Sequence, residues 1–159
     1  MLTYERAHEL FEINENWELV RKISIGRKVK IGDVAGTINK GYRRVQVDGE
    51  HYLAHRLIWL MIHGKFPTDM LDHINGDKAD NRITNLREAT NQQNQHNRIK
   101  PQSHNKSGFL GVNSHKCGRF QAQIGINGKI KYLGLFDTPE KAHDVYLQAK
   151  RKHHKFCTI

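Results

Sequence analysis

Cysteine is close to absent from this chain. Cys117 and Cys157 stand alone, with no Cys-x-x-Cys pair, which excludes a disulfide framework and a Cys-rich zinc knuckle and points to a reducing cytosol. Long apolar runs are missing too. No stretch approaches the roughly 18 to 20 residues that cross a bilayer, and the opening Met1-Leu-Thr-Tyr-Glu-Arg lacks the regions of a signal peptide. A soluble, cytoplasmic chain with no membrane partner is expected. Acid is the third scarcity: 16 Asp and Glu face 26 Lys and Arg, a net charge of +10 and a footprint suited to a polyanion. The imbalance is uneven, because residues 1–100 carry 16 basic against 13 acidic side chains and residues 101–159 carry 10 against 3. The C-terminal third is therefore the better candidate for phosphate contact. At 159 residues, one average domain or two small ones fit, with no internal repeat or low-complexity tract.

What is present is a concentrated polar motif. Asp72-His73-Ile74-Asn75-Gly76-Asp77 is followed by Asn85-Leu86 and then by Asn94 in an Asn/Gln-rich run. Phosphodiester hydrolysis needs a hard cation on oxygen ligands and a group that takes a proton from water. Asp72 and Asn94 supply the oxygens, with Mg²⁺ or Mn²⁺ favoured over a thiolate-loving metal, and His73 supplies the base. On a continuous strand Asp72 and His73 point to opposite faces, so they serve one site only where the strand ends, and Ile74-Asn75-Gly76-Asp77 supplies that break. The Asn85 amide is expected to bridge backbone groups across the loop and hold His73 in place. The bland alternative is that Asp72, Asn85 and Asn94 are turn and cap residues.

Around this motif the chain reads as α+β. Thr3 caps a helix over about 4–12; β-type runs punctuated by Gly26, Gly32, Gly36, Gly41 and Gly49 fill residues 22–53, with Asp48-Gly49 as a hairpin turn. Arg43 and Arg44 there are open to phosphate contact or to an ordinary solvated strand face. Residues 54–63 form an apolar core helix ended by Gly64 and Pro67, with His55 and Arg56 at its start either facing a cleft or structural. Strands at 70–74 and 83–89 and a helix from Thr90 to about Ile99 make a ββα unit. Residues 100–108 read as a linker. Three strands follow, 109–114, 119–126 and 129–136, the last two joined at Asn127-Gly128, and then a helix with Thr138 as N-cap and Pro139 at N1.

The run from Asp72 through Asn81-Arg-Ile-Thr-Asn85-Leu-Arg87 to Asn94 and Asn97 resembles the HNH endonucleases, in particular the phage and intron-encoded homing endonucleases of HNH type. The segment from Gly41-Tyr-Arg-Arg through His55-Arg56 to Gly64-Lys-Phe-Pro67 resembles the region preceding the motif in many such phage proteins. By position the resemblance makes His73 the general base, Asn85 the loop brace, and Asp72 with Asn94 the metal ligands of a ββα-metal core at about 68–99. The third motif residue is Asn rather than His, matching one branch of the family. His96 lies about 200° round the helix from Asn94 and is a poor substitute, whereas Asn97 shares its face, is the better rival, and is also a candidate DNA contact.

Asn105-Lys-Ser-Gly-Phe-Leu-Gly-Val112, Arg119-Phe-Gln-Ala-Gln-Ile124, Lys131-Tyr-Leu-Gly-Leu-Phe136 and Thr138-Pro-Glu-Lys-Ala142 resemble the ethylene-response-factor (apetala-type) DNA-binding domain. That domain lays a three-stranded sheet in the major groove of double-stranded DNA, which makes Asn113, His115, Arg119, Gln121, Gln123 and Lys131 candidate readers. Asn113, Gly125 and Phe120 stand where the plant domain has arginines and a tryptophan, so the plant target does not transfer. The rival for these residues is a solvated strand face. Lys150-Arg-Lys-His-His-Lys155 is open to phosphate contact or to being a frayed tail.

Together these readings describe a site-specific DNA endonuclease, with a nuclease region in 1–99, a linker at 100–108 and a DNA-reading domain in 109–159. One catalytic constellation per chain fits a monomer that nicks one strand; a homodimer could cut both. The rival class is a noncatalytic DNA-binding regulator built on an HNH-like scaffold. A zinc-stapled structural module lacks suitably spaced Cys ligands.

Overall fold

The computed structural model describes residues 2–25 and 28–159; Gly26 of the expected β-rich stretch lies outside them. Packing divides the chain into two units, residues 1–90 and 91–159. The architecture is α+β, with small antiparallel sheets and short helices.

The first unit opens with α1 (Tyr4–Leu10), whose N-cap Thr3 accepts a hydrogen bond from the Arg6 amide at 3.2 Å. The helix stops two residues before the expected end. Phe11 turns extended to begin β1 (Phe11–Ile13), which pairs with β2 (Leu19–Arg21). Burial of Phe11 and Leu19, 1% and 0% exposed, outweighs continuation of an isolated short helix. A meander follows: β3 (Thr37–Asn39), β4 (Tyr42–Val47) and β5 (Glu50–Leu53). Asp48 and Gly49 both take positive φ, 48° and 85°, as a two-residue hairpin of the expected kind requires.

Helix α2 (Ala54–His63) carries Ala54, Leu57, Ile58, Leu60 and Met61 at helical spacing into the core with Leu10, Phe11, Leu19 and Val45. Gly64 ends it in the left-handed region at φ 74°, its amide bonding the Leu60 carbonyl at 2.9 Å. The unit closes with β6 (Met70–His73) and β7 (Leu86–Ala89), antiparallel neighbours. The second strand is shorter than expected. Residues Ile83–Asn85 instead form one tight helical turn, because the Asn85 amide bonds the Arg82 carbonyl at 2.8 Å.

The second unit begins with α3 (Asn91–His96), six polar residues none of which is buried. It ends before the expected limit near Ile99, at His96, whose ring stacks on His154 with centroids 3.8 Å apart. A three-stranded sheet follows in the order β10 (Lys129–Phe136), β9 (Phe120–Ile126), β8 (Val112–Ser114), backed by α4 (Pro139–His153). The stretch ahead of β8 is tied down rather than extended. Asn105 Nδ2 donates to the carbonyls of Phe109 and Val112 at 3.1 and 3.0 Å, and Ser107 Oγ donates to the latter at 2.8 Å. This delays β8 to Val112. The packing boundary at 90/91 falls ahead of the polar stretch 100–108, because residues 96–98 bind the C-terminal end of the chain.

Thr138 and Pro139 start α4 in the roles expected of them. Val112, Ala122 and Ala142 form the buried centre, with Phe109, Phe120, Leu133 and Phe136 packed around it. Gly111 sits at φ 76°, and a Cβ there would run into the Tyr146 ring. Combining a left-handed φ with that clash, Gly111→Ala is expected to cost the second unit at least about 2 kcal/mol. Hydrogen exchange across residues 109–149 should quicken accordingly; unchanged exchange would refute the packing role assigned to this glycine.

Candidate functional site

The strand end at β6 places Asp72 and His73 side by side in sequence and buries both, at 5% and 4% exposure. Their cross-strand partners are Arg87 and Leu86. Arg87 donates from Nε and Nη2 to Asp72 Oδ2, at 3.1 and 3.0 Å, so the buried carboxylate is charge-compensated across the ladder. Arg87 was not singled out in the sequence; only the register reveals it.

Beyond His73 the chain makes a polar loop that Asn85 closes. Asn85 Oδ1 accepts from the Asn75 amide at 3.0 Å, and its Nδ2 donates to Asn75 Oδ1 at 3.0 Å and to the Asp80 carbonyl at 2.8 Å. The Ile74 amide adds a bond to the Asn85 carbonyl at 2.8 Å. Asn75 and Asp77 cap the turn amides within the loop. Asp80, bonded to Arg82 and Asn75, has its carboxyl lowered to about 2, mainly by the Arg82 hydrogen bond.

His73 Nε2 meets Asn81 Oδ1 at 3.3 Å. An amide oxygen only accepts, so this contact keeps the proton on Nε2 and makes Nδ1 the basic nitrogen of the ring. Burial lowers the His73 pKa from its ordinary value, against upward contributions from the Asn81 bond and the carboxylates of Asp72, Asp77 and Asp80. The imidazole is thereby held neutral at pH 7. Two aromatic rings surround it: His55 from α2 meets it edge-on with centroids 4.9 Å apart, and Tyr42 from β4 lies 6.0 Å away. Lys78 sits 4.5 Å above the Tyr42 ring. Burial, with a smaller contribution from Asp72, raises the Tyr42 pKa. His55 is thus structural in the sense weighed from sequence, yet it packs on the proposed base. Neither His55 nor Tyr42 could be assigned this neighbour without the fold, because both lie far from residue 73 in sequence.

Among the described residues no group of three or more His, Cys, Asp and Glu side chains could hold a metal. The buried Asp72 carboxylate is a hard oxygen donor, which suits a cation of the Mg²⁺ or Mn²⁺ kind rather than a zinc cage. Asn94 stands on α3 in the second unit, half-buried.

The remaining expected contacts divide. Arg44 is exposed, whereas Arg43 is paired with Glu18 at 3.2 Å and donates to the Gly36 carbonyl, a commitment within its own sheet region. Asn97 requires correction. It is 4% exposed and accepts from Thr158 Oγ1 at 2.9 Å, so it faces the protein interior and not a nucleic acid. In the sheet of the second unit, Asn113 pairs with Gln121, and Gln123 pairs with Tyr132. These share the face away from α4, and Arg119 precedes Gln121 on the same alternation, ion-paired with Asp137 at 3.0 Å. Lys131 also requires correction. It lies opposite the buried Ile124, on the α4 side of the sheet, so Tyr132, 58% exposed, takes its place on the polar face. His115 is exposed at the β8–β9 turn, with Nδ1 3.0 Å from Cys117 Sγ. In the basic tail, Lys150 and His154 are buried at 1% and 7%, which excludes both from phosphate contact.

Residues 52–96, the span that contains this hairpin and its amide-latched loop, match the family model described as HNH endonuclease. That span contains Asp72, His73, Asn85 and Asn94. The chain is 38% identical over 94 residues to an uncharacterized HNH endonuclease of Acanthamoeba polyphaga mimivirus, covering 58% of this chain and 48% of that protein. It is also 49% identical over 45 residues to the APETALA2-like protein 2 of Oryza sativa, in both the indica and japonica subspecies, covering 27% of this chain and 10% of each rice protein. The chain thus spans about half of the viral relative and a tenth of the rice ones. No solved structure matches it.

Burial, then the neighbouring His73 and Arg56, lowers the His55 pKa to about 3. The unfolded chain binds a proton at about 6.5 that the folded one refuses, so this contribution to stability is intact above pH 6.5 and is lost as pH falls toward 3. At pH 5 the loss amounts to about 2 kcal/mol. Trp17 and Trp59 both lie in the first unit, so urea titrations followed by tryptophan fluorescence report on it. His55→Phe should remove most of the drop between pH 7.5 and 5; an unaltered drop would assign it to other groups.

Proposed function

We propose that this chain is a site-specific DNA endonuclease of the homing type, hydrolysing phosphodiester bonds with one divalent ion and a histidine base. The observation that carries the reading is the neutral, buried His73 beside the Asp72 carboxylate, inside the segment that matches the HNH endonuclease family.

His73 Nδ1 takes the proton of the attacking water, a role worth roughly 10²- to 10⁴-fold. Asn81 holds the opposite ring nitrogen in its protonated form, and His55 and Tyr42 limit the ring's movement. Asn85 keeps the loop closed beneath the base and touches no substrate. Asp72 supplies the carboxylate ligand, its remaining charge steadied by Arg87; Asn94 is the second protein ligand on the strength of the family resemblance. A bound Mg²⁺ or Mn²⁺ supplies charge stabilisation to the scissile phosphate and the leaving oxygen. Arg119, Gln121, Asn113, Gln123 and Tyr132 form the polar sheet face offered to double-stranded DNA, in the manner of strand-based major-groove readers.

Supercoiled plasmid incubated with Mg²⁺ or Mn²⁺ is expected to be nicked, and His73→Ala to slow nicking by about 10²-fold or more while DNA binding persists. A chain that binds DNA and never cuts it with either metal would be a noncatalytic regulator instead. Arg119→Ala is expected to weaken DNA binding. If the guanidinium meets a phosphate, the slope of log affinity against log salt should fall by about 0.9; if it meets a base edge, discrimination at one position should relax. Neither change would remove Arg119 from the interface.

A further inference from the structure

Gly125 stands in the interior of β9 with no conformational or steric reason to be glycine. Its φ lies outside the left-handed region, and a Cβ built there would meet no atom of the described residues within 4 Å. Glycine weakens a strand interior, so one that the fold does not require marks a place where another molecule comes close to the backbone. Directly across the ladder stands Ile130, an apolar side chain left 74% exposed. Opposite residues share a face, and this is the face away from α4, where Tyr132, 58% exposed, pairs with Gln123. Ile130 and Tyr132 therefore flank a notch whose floor is bare backbone at Gly125.

The chemistry around the notch narrows its occupant. Asn113, Gln121, Gln123, Gly125, Ile130 and Tyr132 carry no formal charge, and Arg119, which does, is ion-paired with Asp137 at 3.0 Å. Guanine edges are read best by arginine or lysine, whereas a glutamine amide matches N6 and N7 of adenine and an apolar side chain meets the C5-methyl of thymine. Gln121 Nε2 donates to Gln123 Oε1 at 3.2 Å, which restrains the Gln123 amide. Positive charge sits at the margin instead. A cavity of about 520 Å³ has Gln123, Gly125 and Ile130 in its lining together with Arg98, His104 and Lys106, a volume in the range of ligand sites. Residues 101–159 carry 10 basic against 3 acidic side chains, so the charge on this unit favours a polyanion over a second copy of the same basic chain.

Given the reading of this face as a DNA reader, we infer that the notch at Gly125 and Ile130 receives the C5-methyl of a thymine, with Gln123 reading an adenine beside it. The sheet thereby selects A·T pairs in double-stranded DNA. Diagonal cross-strand neighbours such as Gln123 and Ile130 lie roughly 7–8 Å apart, so the two bases fall within about two steps of one another along the duplex.

The test measures binding of the full-length chain to duplex DNA in EDTA, so that no cutting intervenes. Duplexes selected from a random pool are expected to share an adenine and a thymine at that spacing. Uracil in place of the thymine removes only the methyl and should weaken binding about fourfold, the weight of one buried methyl. In Ile130→Ala the uracil and thymine duplexes should bind alike. Gly125→Val, which fills the notch, should weaken binding about tenfold, the scale of one lost base contact, while hydrogen exchange in β9 stays as slow or slows further, the reverse of what a glycine required by the fold would show. Indifference to uracil at every thymine, a uracil effect that survives Ile130→Ala, or selected sites built of G·C pairs each overturns the thymine notch and leaves the DNA reader standing. A chain that binds no duplex brings down the reader and the notch together. A dimer that Ile130→Ala dissociates would make a second copy the occupant and overturn the thymine. Should Gly125→Val disturb the sheet, the exposed Ile130 decides the outcome.

Discussion

The side-chain amide of Asn85 closes a loop whose backbone groups would otherwise depend on water, and the proposed chemistry depends on that closure. Through Asn75 and the Asp80 carbonyl it ties the beginning of the loop to its far end, so the chain leaves β6 directly after His73 and returns as β7 opposite it. The carboxylate and the imidazole occupy the last two ladder positions of β6, opposite Arg87 and Leu86, at the strand end that this loop defines.

Burial supplies the second half of the design. A solvent-exposed histidine is partly protonated near neutral pH, whereas His73, enclosed by His55 and Tyr42, stays neutral because desolvation outweighs three nearby carboxylates. The same enclosure makes Asp72 dependent on a counter-charge, and the antiparallel register delivers Arg87 to it. The neutral imidazole and the charge-compensated carboxylate therefore come from one small hairpin and the two elements packed on it.

The second unit carries its polar face and its internal anchors on the same small sheet and helix. The bulge between Tyr132 and Gly134 changes which side chains face outward along β10, bringing Leu133 to the core and leaving Tyr132 on the polar side. The tail, so basic in sequence, is divided by the fold: Arg151, Lys152 and Lys155 are exposed, while Lys150 and His154 turn inward to hold residues 96–98 and β9.

The sequence by itself determined the α+β class, the apolar α2, the turns at Asp48-Gly49 and Asn127-Gly128, the cap at Thr138 and the motif residues Asp72, His73, Asn85 and Asn94. These are local: periodicity, turn chemistry and fixed spacing are written in neighbouring residues. Tertiary structure alone decided that Arg87 meets Asp72, that His55 and Tyr42 enclose His73, that Lys131 lies on the α4 side of the sheet and Asn97 is buried, and that α3 is held by the chain's end. Each of these depends on strand register, a bulge, or contacts across some fifteen to sixty residues. A one-residue shift in register moves a side chain to the opposite face, and no composition or motif encodes such a shift.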